Sequence, residues 1–474
     1  MKVGTTEKIV GAVAVAAVVL GGGSYWVGSQ VEQGFRESVD WVARNGVTVS
    51  VVDYQRGVFG ATARTDVVFQ IPSAEDSSIT ESVTVPVVHS IRHGPLTTLT
   101  AAAHIHSEAQ LTEDSIAYLN ELFGGDPFEG RAPLVFDTTI GWAGGRHSRI
   151  VSPKCEAIIK EDRTKVSWGG SDGEIAMDSG LTRQEMKVVI NGLSFIRNDE
   201  DVFRLGRVTL KSDMALVKGF ERVYTGTTSI VLDKFHFRGK SENGAVRGVE
   251  FENFHVTGGT SVKDGALDME IRFDADKIVT EGEAKEVVDN LKLAFLLENI
   301  DARAYDDILK AMYDQEDQEQ EMTEVLQEQI RDLLQRKPTL FIKDASARWP
   351  EGMVTGSFRV SYMGEANPDD LSISGLSGDL QLVVPRALVI RHVNSQVSER
   401  IIDSLEDGEE NQVNIEAETK EQVGKQIAAL LKKGIFVEKG DTLSVDAHFQ
   451  KGELNLNGKP QPIEALFELL PPFF

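Results

Sequence analysis

Apolar and polar residues alternate along most of the first 300 positions of the chain. The alternation starts at residues 47–51 and resumes at 61–69, and Arg56-Gly57-Val58-Phe59-Gly60 interrupts it between them. A period of two is typical of half-buried strands, and a short glycine-containing break between two such runs is typical of a hairpin. Further alternating segments are residues 82–88, 96–110, 134–141, 174–177, 188–195, 202–210 and 227–238. The pattern therefore predicts a mainly β body.

Five of the apolar segments share one local shape, in which a polar step separates two alternating runs. They occupy residues 189–195, 231–237, 249–256, 295–302 and 340–347. Their spacing is irregular, whereas true repeats keep a fixed period. Two interpretations therefore remain: similar strands stacked in one long, curved, antiparallel-rich sheet, or independent amphipathic strands that look alike.

Helical spacing appears at several places in the sequence. A short helix is predicted after Thr112, a suitable N-cap, with Gly124 as its stop. Apolar residues at helical intervals between Ala302 and Lys337 predict a long helix or helix pair over 303–336, ended by Pro338. Its acidic middle lacks the glycine and the spaced ligands of a calcium loop and is interpreted as a solvated helix face. Two more helices, 394–405 and 420–433, follow a strand at 380–390, and a hairpin at 444–457 closes an α+β lobe.

The N-terminal segment has the length and composition of a membrane span. No charged residue occurs from Ile9 to Val31, and a helix over residues 9–27 would reach roughly 30 Å, about the thickness of the hydrocarbon core. The lysines at 2 and 8 precede it, which predicts a cytoplasmic N-terminus. The alternative is a cleaved signal peptide, because Gly21 and Gly23 could satisfy a small-residue cleavage rule. The predicted anchor residues are Ile9, Val10, Val13, Val15, Val18, Val19, Leu20, Tyr25 and Trp26.

These elements divide the chain into three predicted parts. Residues 1–28 form a cytoplasmic stub and a single-pass inner-membrane anchor, 29–300 a β-rich periplasmic body, and 301–474 the C-terminal lobe. The fold class is mainly β with α (α+β), with a few packed helices. The formal charge of -25 disfavours binding to nucleic acid, which needs basic patches. Cys155 is the single cysteine, so no disulfide can form within the chain.

The motifs that could carry chemistry are weak. Residues 169–173 match Gly-x-Ser-x-Gly, but an alternating segment follows instead of a helix, and we interpret the motif as a tight hairpin turn. His104 and His106 share one strand face and could bind zinc with Glu108, although polar histidines on strands are common. We therefore expect no catalytic residue, no cofactor and no enzyme activity.

Several landmarks together resemble the YdgA-like bacterial family, a domain of unknown function. They are the apolar anchor, residues 54–59 with Arg56-Gly57, His93-Gly94-Pro95-Leu96, Pro338-Thr339-Leu340, and residues 451–460 with Asn457-Gly458. The resemblance implies an inner-membrane protein with a periplasmic body and implies no reaction. The glycine-containing landmarks are interpreted as turns, and Asn457-Gly458 as a type I′ turn after the last strand.

Two functions agree with this picture. The first is an envelope protein whose sheet forms an apolar groove for lipid or for a partner's chain, loosely similar to the AsmA-like group. The second is a periplasmic scaffold that docks a partner through the acidic helix 303–336. An enzyme is the third and weakest alternative.

Overall fold

The computed structural model describes residues 24, 27–37, 39, 48–72, 80–94, 100–240, 246–282, 285–314, 329–364, 375–404 and 415–462. These residues form two units. Unit 1 comprises the described residues of Met1–Leu216, Thr228–Arg238 and Lys310–Asp317, and unit 2 comprises those of Val217–Thr227, Gly239–Leu309 and Gln318–Phe474.

Strands dominate the described residues, which confirms the prediction of a mainly β protein with a few helices. The helices are α1 (27–37), α2 (Glu113–Phe123), α3 (Ala302–Asp314), α4 (329–335), α5 (Arg386–Ser404) and α6 (Ile415–Lys432). The strands are β1 (Thr48–Arg56), β2 (Gly60–Pro72), β3 (Thr80–His93), β4 (Ala103–Ala109), β5 (Val135–Ile140), β6 (Arg146–Ser152), β7 (Cys155–Ile158), β8 (Lys165–Trp168), β9 (Ser171–Met177), β10 (Arg183–Ile190), β11 (Leu193–Arg197), β12 (Glu200–Leu205), β13 (Val208–Leu216), β14 (Tyr224–Lys240), β15 (Val246–Lys263), β16 (Ala266–Glu281), β17 (Lys285–Asp301), β18 (Thr339–Trp349), β19 (Gly352–Tyr362), β20 (Leu376–Pro385), β21 (Val437–Lys439), β22 (Thr442–Gln450), β23 (Glu453–Leu456) and β24 (Lys459–Gln461).

Unit 1 is built from antiparallel strands with α1 packed at one end. One series of paired strands runs β1, β2, β3, β4, β5, β6, β9, β10, β13, and a second runs β7, β8, β11, β12, β14. Val27, Val31 and Phe35 recur at helical spacing and lie buried against strands β2 to β4. Helix α2 has Thr112 as its N-cap and Gly124 in the left-handed conformation, in agreement with its sequence signals.

The segment Gly169–Gly173 is not the hairpin turn that its sequence suggested. Strand β8 pairs with β7 and β11, whereas β9 pairs with β6 and β10, so the two glycines connect different series of strands. The link passes close to a second connection, because Gly169 donates to Gly192 O at 2.8 Å and Asn191 to Gly170 O at 2.9 Å. A Cβ on Gly169 would lie 2.5 Å from Asn191 O, so a side chain would prevent this approach.

Unit 2 contains long antiparallel strands paired in the order β15, β16, β17, β18, β19, β20, β22, β23, β24, with β21 beside β22. The polar step of the recurrent segments has a structural meaning here. Asn253, Asn299 and Asp344 adopt positive φ angles of 50°, 63° and 56°. The pairing register is interrupted or shifted beside each of them. Asn and Asp tolerate this conformation better than other residues with side chains, so each polar step marks an irregularity in a long strand.

The C-terminal helices begin earlier than predicted. The predicted strand 380–390 ends at Pro385, and α5 begins at Arg386 instead of at 394. The run Ala387-Leu388-Val389-Ile390 has strand-like composition, but burial at Val389, Val393 and Val397 follows a four-residue spacing and selects a helix. Asn457 and Gly458 have φ angles of 52° and 79°, as a type I′ turn requires. The strand β24 follows this turn, so the turn does not come after the last strand.

The predicted anchor lies almost entirely outside the described residues. Of residues 9–27, Ser24 and Val27 are described, whereas Tyr25, Trp26 and the apolar residues from Ile9 to Leu20 are not. No helix in the described part of the chain is both long and apolar enough to cross a membrane. The predicted helix 303–336 is represented by α3 and α4, and residues 315–328 lie outside the description.

Candidate functional site

Helix α1 packs against the strands of unit 1, and one of its contacts is very close. Gly28 faces the imidazole of His93, and a Cβ on Gly28 would lie 2.8 Å from His93 Nε2. His93 is fully buried, and burial lowers its pKa, while backbone groups of Gly60 and Ser24 act in the opposite direction. A glycine is therefore required at this helix position for the imidazole to fit beneath it.

The turns identified as landmarks meet at the same point. The His93 amide donates to Phe59 O at 3.2 Å, and a Cβ on Gly60 would lie 2.5 Å from Ile91 O. Gly94 has a φ of 89°, and a Cβ there would lie 2.5 Å from Oγ of the fully buried Ser24. The landmark segments 54–59 and 93–94 thus form one contact site for α1, whereas Pro95 lies outside the described residues.

Charged and aromatic groups extend this contact along the helix. Glu32 forms ion pairs with Arg56 and Arg36, both at 3.2 Å. The guanidinium of Arg36 lies 5.7 Å from the centre of the Tyr54 ring. Burial, followed by the charge of Glu32, raises the pKa of Tyr54 to about 12. Arg56 is therefore a partner of α1 as well as part of a turn.

A buried hydrogen-bonded chain crosses the strands beneath Phe35. His89 contacts Thr65 Oγ1 through Nε2 at 2.9 Å and Ser107 Oγ through Nδ1 at 2.7 Å. Phe35 packs on the imidazole edge-to-face at 5.0 Å, and burial lowers the pKa of His89 to about 4. A serine that contacts a histidine can act as a nucleophile with the histidine as its base. In such sites a carboxylate usually orients the histidine, whereas here the second ring nitrogen contacts the hydroxyl of Thr65. Ser107 is also only 5% exposed, so a substrate could not reach it. The arrangement supports packing of α1 better than catalysis.

The two candidate metal ligands lie on the opposite, exposed face of β4. His106 contacts Asp137 at 2.7 Å and Glu108 at 3.1 Å, and these bonds raise its pKa. His104 contacts Thr139 Oγ1 at 3.1 Å. Within the described residues, no three His, Cys, Asp or Glu side chains are placed to hold a metal ion.

A second candidate site is an apolar row across five strands of unit 2. The row consists of Gly258, Ile271, Phe295, Ile342 and Phe358, which are direct cross-strand neighbours. Directly paired residues in a sheet point to the same face. The opposite face carries charged residues at adjacent positions, including Arg272, Glu270, Lys343 and Arg359. This part of the sheet is therefore amphipathic.

The apolar row is only partly covered by the described residues. Ile271 is 44% exposed, and Phe295, Ile342 and Phe358 are half-buried. Helices α5 and α6 close a core beside Phe358, and α3 packs near the fully buried Leu267 at the end of β16. Among the described residues, Phe358 packs against the buried cluster under α5 and α6, whereas Ile271, Phe295 and Ile342 belong to none of the buried apolar clusters.

An aromatic ladder borders the apolar row. The rings of Phe273 and Phe295 meet at 6.0 Å and an interplanar angle of 89°, and Phe254 lies 6.4 Å from Phe273. The three phenylalanines belong to neighbouring strands and are half-buried. The ladder and the row together form an apolar surface between the two helical cores of unit 2.

The polar face of the same strands contains a shallow cavity of about 310 Å³. Its lining includes Thr227, Gly259, Asp268, Glu270 and Glu298. Asp268 accepts the backbone N–H of Asn299 at 2.8 Å, and Glu270 pairs with Arg272 at 2.5 Å. Two of the carboxylates therefore already have protein partners.

The sequence predicted an apolar groove without its position and the landmark turns without their contact to α1. The alternation predicted strands at residues 249–256 and 295–302. It did not predict which face of these strands stays exposed, because that depends on helices that are distant in the sequence. The α1 site had one usable signal, since Val27, Val31 and Phe35 continue helical spacing past the end of the predicted anchor.

Comparison with known proteins identifies the family of the chain. No curated protein and no solved structure matches the chain. The model of a family described as "Bacterial protein of unknown function (DUF945)" matches residues 6–464, which include both sites. This confirms the resemblance to a bacterial family of unknown function that the landmarks indicated. The chain therefore belongs to the DUF945 family of bacterial proteins.

Proposed function

We propose that the protein is a non-enzymatic envelope protein, held in the inner membrane by its N-terminal apolar segment, that binds lipid acyl chains on the apolar row of unit 2. The N-terminus is cytoplasmic and the body is periplasmic. The observation that carries the proposal is the exposure of Ile271 within the apolar row, whose other side chains are half-buried. Large apolar surfaces that remain open in a folded chain are typical of binding sites.

The geometry favours an elongated apolar ligand. The row crosses five strands, and strands in a sheet lie about 4.8 Å apart, so it extends roughly 20 Å. Its floor is formed by aliphatic and aromatic side chains, and the charged residues next to the row, Glu270, Arg272, Lys343 and Arg359, lie on the other face. An acyl chain matches this length and needs no polar partner along it.

Lipid binding is tested by mass spectrometry of the purified protein and of two matched variants. Ile271→Glu places a charge in the row and should abolish copurified lipid. Thr257→Glu places the same charge on the polar face, beside Arg272, and should leave lipid unchanged. Absence of lipid from the unaltered protein, or equal lipid in both variants, would contradict the proposal.

The anchor is tested separately in the cell membrane. The full chain should remain in the membrane pellet after carbonate extraction, and its body should be digested by protease only when the outer membrane is opened. Recovery of the chain in the carbonate supernatant would contradict anchoring without bearing on the apolar row.

The alternative function is docking of a partner through the acidic segment between α3 and α4. Deleting residues 303–336 would not test it cleanly, because Asp306 is fully buried and accepts the backbone N–H of Arg222 at 2.7 Å. Arg336 also pairs with Asp301 at 2.6 Å. Deleting residues 315–328 spares these contacts. Loss of crosslinks to envelope proteins in this shorter variant would favour docking over lipid binding.

A further inference from the structure

We infer that the β1–β2 turn of unit 1 inserts into the surface of the lipid bilayer, with Val58 and Phe59 as the inserted side chains. The inference rests on the proposed membrane anchor. Val58 is 47% exposed and Phe59 is 44% exposed. Two adjacent apolar side chains on a tight turn cost free energy in water, and an aromatic ring is well suited to the membrane interface.

The position of the turn relative to the chain's N-terminal segment points to the bilayer. Phe59 O accepts the amide of His93, and His93 contacts the backbone of Ser24. Ser24 belongs to the apolar segment that we propose as the anchor. A single residue, His93, therefore separates the turn from the point where that segment joins the strands of unit 1. An anchor that leaves the protein at this point holds the turn close to the lipid.

The burial of Ser24 strengthens this argument. Ser24 is fully buried against Gly94, so the part of the segment that can contact lipid ends before residue 24. Because Ser24 already packs within unit 1, the proposed anchor joins unit 1 without a spacer, which keeps the turn close to the membrane surface.

Charge explains why apolar residues form this contact. The chain carries a net charge of -25, which opposes adsorption of the body to anionic lipid. Arg92 is exposed and pairs in register with Gly60, next to the turn, where it can meet lipid phosphate. The turn thus combines an apolar tip with one adjacent cation.

Site-directed fluorescence on the full chain tests the insertion. In a Cys155→Ser background, an environment-sensitive nitrobenzoxadiazole label is attached to Phe59→Cys or, as a control, to Val52→Cys. Val52 is 55% exposed on the same hairpin, about 20 Å along the strand from the turn. The proteins are reconstituted in phosphatidylcholine vesicles with or without nitroxide headgroup lipid.

The label at position 59 should emit at shorter wavelength and be quenched at least about twofold more strongly by the nitroxide than the label at 52. Equal quenching at both positions, in protein that resists carbonate extraction, would overturn the insertion and leave the anchor intact. Extraction of the protein by carbonate would overturn the anchor, and the insertion with it.

Discussion

The imidazole of His93 occupies the space that a side chain at Gly28 would need. His93 is the last residue of β3 and is fully buried against α1, so it cannot move aside into solvent. Gly28→Ala should therefore lower the free energy of unfolding by about 1–3 kcal/mol, the usual cost of overpacking a core. Urea denaturation of the full chain in detergent measures the change.

Gly34→Ala provides the matched control on the same helix. A Cβ at Gly34 would lie 3.5 Å from the Arg146 guanidinium, an ordinary contact. Alanine also favours a helix over glycine by up to about 1 kcal/mol. This variant should be as stable as the unaltered protein or more stable. Equal destabilisation by both substitutions would show that the His93 contact is not the cause.

Acid should destabilise unit 1 through His89. Its pKa is about 4 in the folded protein and 6.5 in an unfolded chain, so the unfolded state binds the proton first as the pH falls. The stabilising contribution is complete above pH 6.5 and is lost progressively as the pH falls from 6.5 to about 4. The loss is on the order of 3 kcal/mol.

His89→Gln separates this effect from the titration of carboxylates. Glutamine can still bond to Thr65 and Ser107 but cannot take up the proton, so the free energy of unfolding should depend less on pH between 6.5 and 4. His104→Gln is the control, since His104 is exposed on the other face of the sheet. An unchanged pH dependence in His89→Gln would show that another group titrates.

Much of the fold follows from local signals in the sequence, and the sites do not. Helix α2 could be predicted because Thr112 and Gly124 satisfy its ends within the helix itself. The polar steps at Asn253, Asn299 and Asp344 were visible as a pattern, and the structure explains them as left-handed residues in long strands. These features depend on residues close together in the chain.

The predictions that were wrong concern residues whose structure depends on contacts with distant parts of the chain. Residues 387–390 were assigned to a strand because their composition is apolar, and only packing of α5 on β20 and β22 decides in favour of a helix. In the same way, the role of Gly28 depends on His93, which is 65 positions away in the sequence. The contact between Gly28 and His93 leaves no periodic signal, and the four-residue spacing of Val389, Val393 and Val397 competes with the strand-like composition of residues 387–390.

Asp306 should hold the connection before β14 in place. Its carboxylate accepts the backbone N–H groups of Glu221 and Arg222 at 3.2 and 2.7 Å and is fully buried. Asp306→Ala leaves two donors without this acceptor and should cost about 2–3 kcal/mol of unfolding free energy. Asp332→Ala, an exposed change on α4, should cost less than about 0.5 kcal/mol. Thermal unfolding compares the two, and a similar loss in both would contradict the role of Asp306.

Two glycines at the end of the chain should respond in opposite directions to the same substitution. Gly424 lies inside α6 on its exposed side, and a Cβ there would meet no atom within 4 Å. Gly424→Ala should raise the unfolding free energy by about 0.5–1 kcal/mol, because alanine restricts the unfolded chain and favours a helix.

Gly434 also has open space around it, but its φ is 75°, the left-handed conformation that follows many helices. Gly434→Ala should therefore lower the stability by about 1 kcal/mol. Stabilisation by both substitutions in urea denaturation would mean that the left-handed residue after α6 is not required.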